Sequence, residues 1–167
     1  MDHVDLEACK ECGIQVSNAS GYSNRSVAEL ALCMMLTLLR NVPQVESRCR
    51  AGQTKDGLVG NELYGKTVGI VGLGAIGQAT AALCHAFGCR IIAYNPRIKE
   101  APEYIEQMPL GDVLAQSDIV TLHCPLNSST RGMIGKDELA KMKPTAFLIN
   151  TARGPVVDSD ALCDALN

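Results

Sequence analysis

The sequence predicts an α/β fold, a doubly wound parallel sheet with helices on both faces, and three observations carry this. From Lys66 onward, short β-branched apolar runs alternate with helical patterns. Such alternation marks parallel β-α units, which right-handed crossovers wind to both sides of one sheet. A glycine cluster, Gly72-Leu73-Gly74-Ala75-Ile76-Gly77, closes the first of these runs and opens a helix. The composition is that of a globular chain of about one domain: 167 residues, 47% hydrophobic, 20% charged, formal charge −3. Disordered tails hold fewer apolar and more charged residues. The chain also lacks the basic footprint that nucleic acid or an anionic membrane surface requires. With no Trp and 4% aromatic residues, the core must rest on Leu, Ile, Val, Ala and Met.

Before Lys66 the character differs. Residues 6–12 read as a helix stopped by Gly13, and 14–18 as a strand. Residues 27–40 form the most apolar segment, with only Glu29, Thr37 and Arg40 polar. Ser26 and Glu29 have the S-x-x-E spacing of a capping box, and Pro43 lies just past the end. A helix so uniformly apolar is expected to be buried on nearly all faces, in part by a second subunit. Its fourteen residues fall short of the roughly 20 that span a bilayer. Residues 41–65, with four glycines and little periodicity, read as an arm or connector.

The regular part follows in order. Strands are expected at 67–71, 90–94, 118–122 and 145–149. Helices are expected at 75–87 with Gly88 as the stop, then at 110–116, 136–142 and from Ser159 onward. Eight cysteines are scattered through the chain, and the N-terminus carries no basic-plus-apolar leader. This reads as a cytoplasmic protein with free thiols. Cys9 and Cys12 form a C-x-x-C with His3 nearby, but no second pair stands at zinc spacing, so no metal site is expected.

The glycine cluster is a G-x-G-x-x-G in the strand-to-helix setting that makes it informative. Gly72 permits the tight turn, Gly74 lets backbone approach a pyrophosphate, and Gly77 lets helix and strand pack closely. The helix N-terminus offers unpaired N–H groups to phosphates. This is a Rossmann-type dinucleotide cradle. The acidic residue expected about 20 positions on is replaced by Asn95, in Tyr94-Asn95-Pro96-Arg97. An amide can bond a ribose hydroxyl but does not repel a 2′-phosphate, and Arg97 could pair with one. NAD is the expected cofactor, with NADP possible. Two later strand ends run into His123-Cys124-Pro125-Leu126 and Asn150-Thr151-Ala152-Arg153-Gly154. An arginine there can hold a carboxylate through two parallel bonds and polarise an adjacent carbonyl.

With these stretches, and with Asp2-His3-Val4-Asp5-Leu6, Val27-Ala28-Glu29 and Met142-Lys143-Pro144, the sequence resembles the D-isomer-specific 2-hydroxyacid dehydrogenase family. That family includes phosphoglycerate, glycerate, formate and D-lactate dehydrogenases. The resemblance implies hydride transfer between a nicotinamide cofactor and a 2-hydroxy or 2-oxo acid. It implies Arg153 as the catalytic arginine, and Ala75 and Ile76 against the pyrophosphate. Asn95 would face the adenosine ribose, and Cys124, Thr151 and Ala152 would lie along the nicotinamide. His123 belongs to a strand-end motif and is not the family's catalytic histidine. Residues 1–24 would be a remnant of a flavodoxin-like substrate domain, and 25–167 an incomplete Rossmann domain. The helix at 27–40 and the arm at 41–65 resemble dimer contacts, so a homodimer is expected.

The family's proton-donating pair, a Glu and a His, lies downstream of the arginine. After Arg153 this sequence has only Asp158, Asp160 and Asp164 as acids and no His. The expectation is a cofactor-binding chain that does not turn over by itself. The alternative is an NAD-sensing, corepressor-like module with no catalysis.

Overall fold

The computed structural model describes residues 4–98 and 100–167. Five strands form one parallel sheet: β1 (Thr67–Val71), β2 (Arg90–Tyr94), β3 (Ile105–Gln107), β4 (Ile119–Leu122) and β5 (Phe147–Asn150), in the order β3-β2-β1-β4-β5. Four of them stand where the sequence pattern places them. The fifth, β3, escapes the pattern because it has three residues, and only Ile105 is buried. It is a strand because it pairs with β2, Ile91 opposite Ile105.

Side chains alternate across the sheet with the period of two that a pleat imposes. Val68, Ile70, Ile91, Ala93, Ile119 and Ile149 face one side. That side is covered by α2 (Asn24–Leu39) and α4 (Ala75–Ala86), through Ala31, Met35, Ala81 and Cys84. Val71, Ile92, Val120 and Leu122 face the other. There α5 (Leu110–Gln116), α6 (Lys136–Lys141) and α7 (Ser159–Leu166) supply Val113, Leu114, Leu139 and Leu162. Helices on both faces of a parallel sheet are the doubly wound arrangement the sequence predicts. At Gly69 a Cβ would run into Ser117 Oγ, so glycine lets α5 lie close against β1.

Several local details match the sequence reading. The helix α1 (Leu6–Glu11) is capped by Asp5, whose carboxylate accepts from the Glu7 and Ala8 amides, and it ends at Gly13 with φ +68°. α4 ends at Gly88, φ +77°. There the Gly88 and Cys89 amides donate to the His85 and Cys84 carbonyls, the paired closure of a Schellman motif. Asp118 anchors the start of β4. Its carboxylate accepts from the Thr67 amide at 2.9 Å and from Lys143 Nζ at 2.8 Å. Partial burial opposes its ionisation, but these bonds prevail and hold the pKa below the usual carboxylate value.

Four expectations are corrected. Helix α2 begins at Asn24, because Ser23 O already accepts the Val27 amide. Ser26 is therefore inside the first turn, and its hydroxyl donates back to Ser23 O instead of capping the helix. Within the chain, burial of α2 is confined to the stripe Ala28, Ala31, Met35 and Leu39, while Leu30, Met34 and Leu38 are exposed in a row to one side of it. The connector contains a helix, α3 (Val42–Arg50), with Pro43 in its first turn and Asn41 in the left-handed region (φ +52°) at the joint. No residue of α3 is buried, so no apolar period announces it. Residues 14–18 form no strand: Ile14 is exposed, and no described strand lies alongside to pair with it.

His3, the extra ligand considered for Cys9 and Cys12, lies outside the described residues. Among the described residues, no group of three or more His, Cys, Asp or Glu is placed to hold a metal ion. No single described helix is long and apolar enough to cross a membrane.

Candidate cofactor site

β1 and β4 are neighbours, yet β2 and β3 lie beyond one and β5 beyond the other. The loops leaving β1 and β4 therefore diverge to opposite sides, and the crevice between them is the topological switch point where open α/β sheets bind ligands. The glycine loop occupies this position. Gly72 takes φ +102°, and a Cβ there would lie 2.9 Å from the Cys124 nitrogen, so the loops after β1 and β4 touch only because Gly72 has no side chain. The Gly72 amide donates to Tyr94 O at 2.8 Å. A Cβ at Gly77 would overlap the Gly72 carbonyl oxygen, which fixes how closely α4 can approach the loop. Gly74 is different. It is the N-cap of α4 in ordinary extended geometry, and a Cβ would meet nothing within 4 Å. Its missing side chain leaves space on the open side of the loop.

Two cavities flank the loop and share a wall made of His123, Cys124 and Pro125. The first, about 340 Å³, runs past Gly72, Gly74, Asn95 and Arg97 to Ser129 and Thr130. The second, about 400 Å³, is lined by Ile76, Leu126, Thr151, Ala152 and Arg153. Each lies within the range of small-molecule sites. The N-cap of α4 is Gly74, which has no side chain to accept from the first amides of the helix. A dinucleotide fits this arrangement. It has two halves for two adjoining cavities, and a pyrophosphate for the uncapped helix end beside Gly74.

The sequence-predicted residues fall into place around these cavities. Gly72, Gly74 and Asn95 line the first, Ile76, Thr151, Ala152 and Arg153 the second, and Cys124 both. Ala75 opens α4 between them, and Gly77 sits behind the loop as a packing residue. Asn95 does more than face a ligand. Its Oδ1 accepts from the Leu73 amide at 3.1 Å and its Nδ2 donates to Arg97 O at 2.7 Å. The first bond requires an acceptor and the second a donor, so the orientation of the amide is fixed. Asn95 thus ties the end of β2 to the glycine loop.

Sequence reasoning missed two supporting groups. Asn150 braces the turn that carries Arg153: its Oδ1 accepts from the Ala152 amide and its Nδ2 donates to Arg153 O, both at 3.0 Å. Asn as the last residue of an apolar strand is the signal that marks such a turn. His123 bridges two strand ends, with Nε2 3.0 Å from Thr121 Oγ1 and Nδ1 3.4 Å from Thr151 Oγ1. Burial pushes its pKa down to about 4, so the ring is neutral at physiological pH. Burial also raises the Cys124 thiol, which stays protonated. Arg153 is exposed and lines the second cavity, and its Nη1 donates to Ala152 O at 2.8 Å.

Fold and site together define a Rossmann-type, dinucleotide-binding α/β domain. Residues 32–167 match the D-isomer specific 2-hydroxyacid dehydrogenase NAD binding domain, and the chain belongs to that family. It is 43% identical over 167 residues to 2-hydroxyacid dehydrogenase A of Aspergillus oryzae, covering 99% of this chain and 48% of that protein. It is 42% identical to hydroxypyruvate reductase of Thermotoga maritima, covering 97% and 53%. Among solved structures it is similar to apo D-lactate dehydrogenase from Escherichia coli, with a TM-score of 0.93 and 36% identity over 99% of this chain and 54% of that one. It is also similar to D-lactate dehydrogenase from Aquifex aeolicus in complex with NAD and lactic acid, with a TM-score of 0.90 and 36% identity over 99% and 51%. The chain spans about half the length of these relatives.

Proposed function

We propose that this chain binds a nicotinamide dinucleotide across the two cavities, and that the protein it belongs to interconverts a 2-hydroxy acid and a 2-oxo acid. The observation that carries this is the pair of adjoining cavities at the switch point, which share His123, Cys124 and Pro125, with Arg153 lining the second. The bound nicotinamide would supply or accept the hydride. Gly72 and Gly74 admit the pyrophosphate backbone, and Ala75 and Ile76 present the amides of the α4 N-terminus. Asn95 stands at the adenosine end. Cys124, Thr151 and Ala152 line the nicotinamide end with apolar and neutral groups. Arg153 binds the substrate carboxylate through parallel N–H bonds and draws charge onto the adjacent oxygen.

A proton donor for this reaction needs a pKa near 7. His123 is held at about 4 and faces hydroxyls. Burial raises the Cys124 thiol above its ordinary value, and no carboxylate or second histidine is among the described residues lining the second cavity. We therefore propose that the 167 residues bind cofactor without turning over. Residues 1–24 we assign to a separate substrate domain and 25–167 to the cofactor domain; no residue of α1 is buried in the sheet's core.

Calorimetric titration with NADH should give a saturable signal, with no NADH consumption when 2-oxo acids are added. A 2-oxo acid added to NADH-saturated protein should bind, and Arg153→Ala should weaken that binding at least tenfold. A folded protein that fails to bind NADH overturns the cofactor reading. Unimpaired 2-oxo acid binding in Arg153→Ala overturns the role of the arginine.

We also propose a homodimer in which a second copy covers Leu30, Met34 and Leu38. They lie 49%, 38% and 41% exposed, four residues apart on one side of α2. An exposed apolar stripe at that spacing is what a partner helix buries. Light scattering should show a dimer that Met34→Glu converts to monomer; a wild-type monomer at high concentration overturns the proposal.

A further inference from the structure

We infer that the first cavity accepts a 2′-phosphorylated dinucleotide, so that NADPH binds with an affinity comparable to that of NADH. This rests on the dinucleotide reading of the site and names the ligand class it admits.

The argument starts from charge. A carboxylate at the end of β2 bonds the ribose hydroxyls and repels a 2′-phosphate. Here, among the described residues, no Asp or Glu lines the cavity. The residue at that position is Asn95, and its acceptor oxygen is turned to the Leu73 amide. One N–H of Nδ2 is spent on Arg97 O, which leaves the second N–H as a donor. A phosphate arriving there meets a donor and no negative charge.

Arg97 supplies the positive charge. It lines the same cavity, is exposed, and stands two residues beyond Asn95 on a segment fixed by the Asn95–Arg97 bond. Among the described residues, no hydrogen bond or ion pair engages its guanidinium, so a phosphate would not have to displace an existing partner. A guanidinium meets phosphate oxygens with parallel N–H bonds. Ser129 and Thr130 also line the cavity and carry no charge.

The test is calorimetric titration of the purified protein with NADH and with NADPH, repeated for Arg97→Ala and Arg97→Lys. NADPH should bind less than tenfold more weakly than NADH. Arg97→Ala should weaken NADPH at least tenfold more than NADH, and Arg97→Lys should recover part of the loss. Raising the salt concentration should weaken NADPH more steeply than NADH. The arginine is exposed and, among the described residues, holds no other group through its side chain, so the variants should fold, which circular dichroism checks. Asn95→Asp gives a second arm: it should lower the NADPH-to-NADH affinity ratio at least tenfold. Wild-type protein that binds NADH more than tenfold tighter than NADPH overturns the inference and leaves the dinucleotide reading standing. An unchanged affinity ratio in Arg97→Ala overturns it equally. Failure to bind either nucleotide defeats the dinucleotide reading itself.

Discussion

Gly77→Ala is expected to cost about 3 kcal/mol of folding stability or more, read as a fall in Tm of roughly 10 °C. Inside a helix, alanine is ordinarily better than glycine by about 1 kcal/mol. The sign reverses here because the added Cβ would overlap the Gly72 carbonyl oxygen. That oxygen belongs to backbone pinned on both sides: the Gly72 amide is bonded to Tyr94 O, and the residue packs against Cys124. Neither can swing away as a side chain could, so α4 must move off the loop. NADH affinity should fall at least tenfold with it. Gly74→Ala separates site from scaffold. Its Cβ meets nothing, so Tm should hold within about 2 °C, while the group enters the space proposed for the pyrophosphate and weakens NADH at least tenfold. A Gly77→Ala protein as stable as wild type would show that the loop can yield, and would remove the packing role assigned to this glycine.

Acidification should destabilise the protein between pH 6.5 and about 4, with His123 as a principal cause. The folded ring is held at about 4, whereas the unfolded side chain titrates near 6.5. In that window the unfolded chain binds more protons, so stability falls as pH falls and stops changing from this group once both states are protonated. The gap, at about 1.4 kcal/mol per pH unit, amounts to roughly 3 kcal/mol across the window. His123→Gln keeps a hydrogen-bonding side chain without the titration. Chemical denaturation at pH 7, 5.5 and 4.5 should show a steep loss for wild type and a flatter one for the variant. Asp118 acts in a lower range. Its pKa is depressed, so its stabilisation is present above the ordinary carboxylate value and is lost as pH falls below it. Parallel pH profiles for wild type and His123→Gln would show that His123 does not charge on unfolding.

The site was legible in the sequence to the extent that it is local. Gly72, Gly74 and Gly77 announce the cradle because strand, turn and helix are consecutive. Arg153 stands out because it follows a strand end. The network around His123 was not legible, since Thr121 and Thr151 belong to two strands and their spacing in the chain says nothing of their approach. The same holds for Asn95. Its identity in place of an acid is plain, but its tether to the Leu73 amide is made across 22 residues. The missed elements are those without an apolar period: α3 buries nothing, and β3 buries one residue.

By itself the sequence determined the doubly wound sheet, the register of glycines at the first turn, and the family. Each depends on short-range patterns: the alternation of β-branched strands with helices, and backbone freedom at specified positions. Only the tertiary structure decided which groups are satisfied and which are left over. It buried one stripe of α2 and exposed the other, spent the Asn95 amide on the loop and its neighbour's carbonyl, and left Arg97 facing a cavity without a carboxylate. Such outcomes depend on what packs against each side chain, and packing partners are set by the meeting of distant segments.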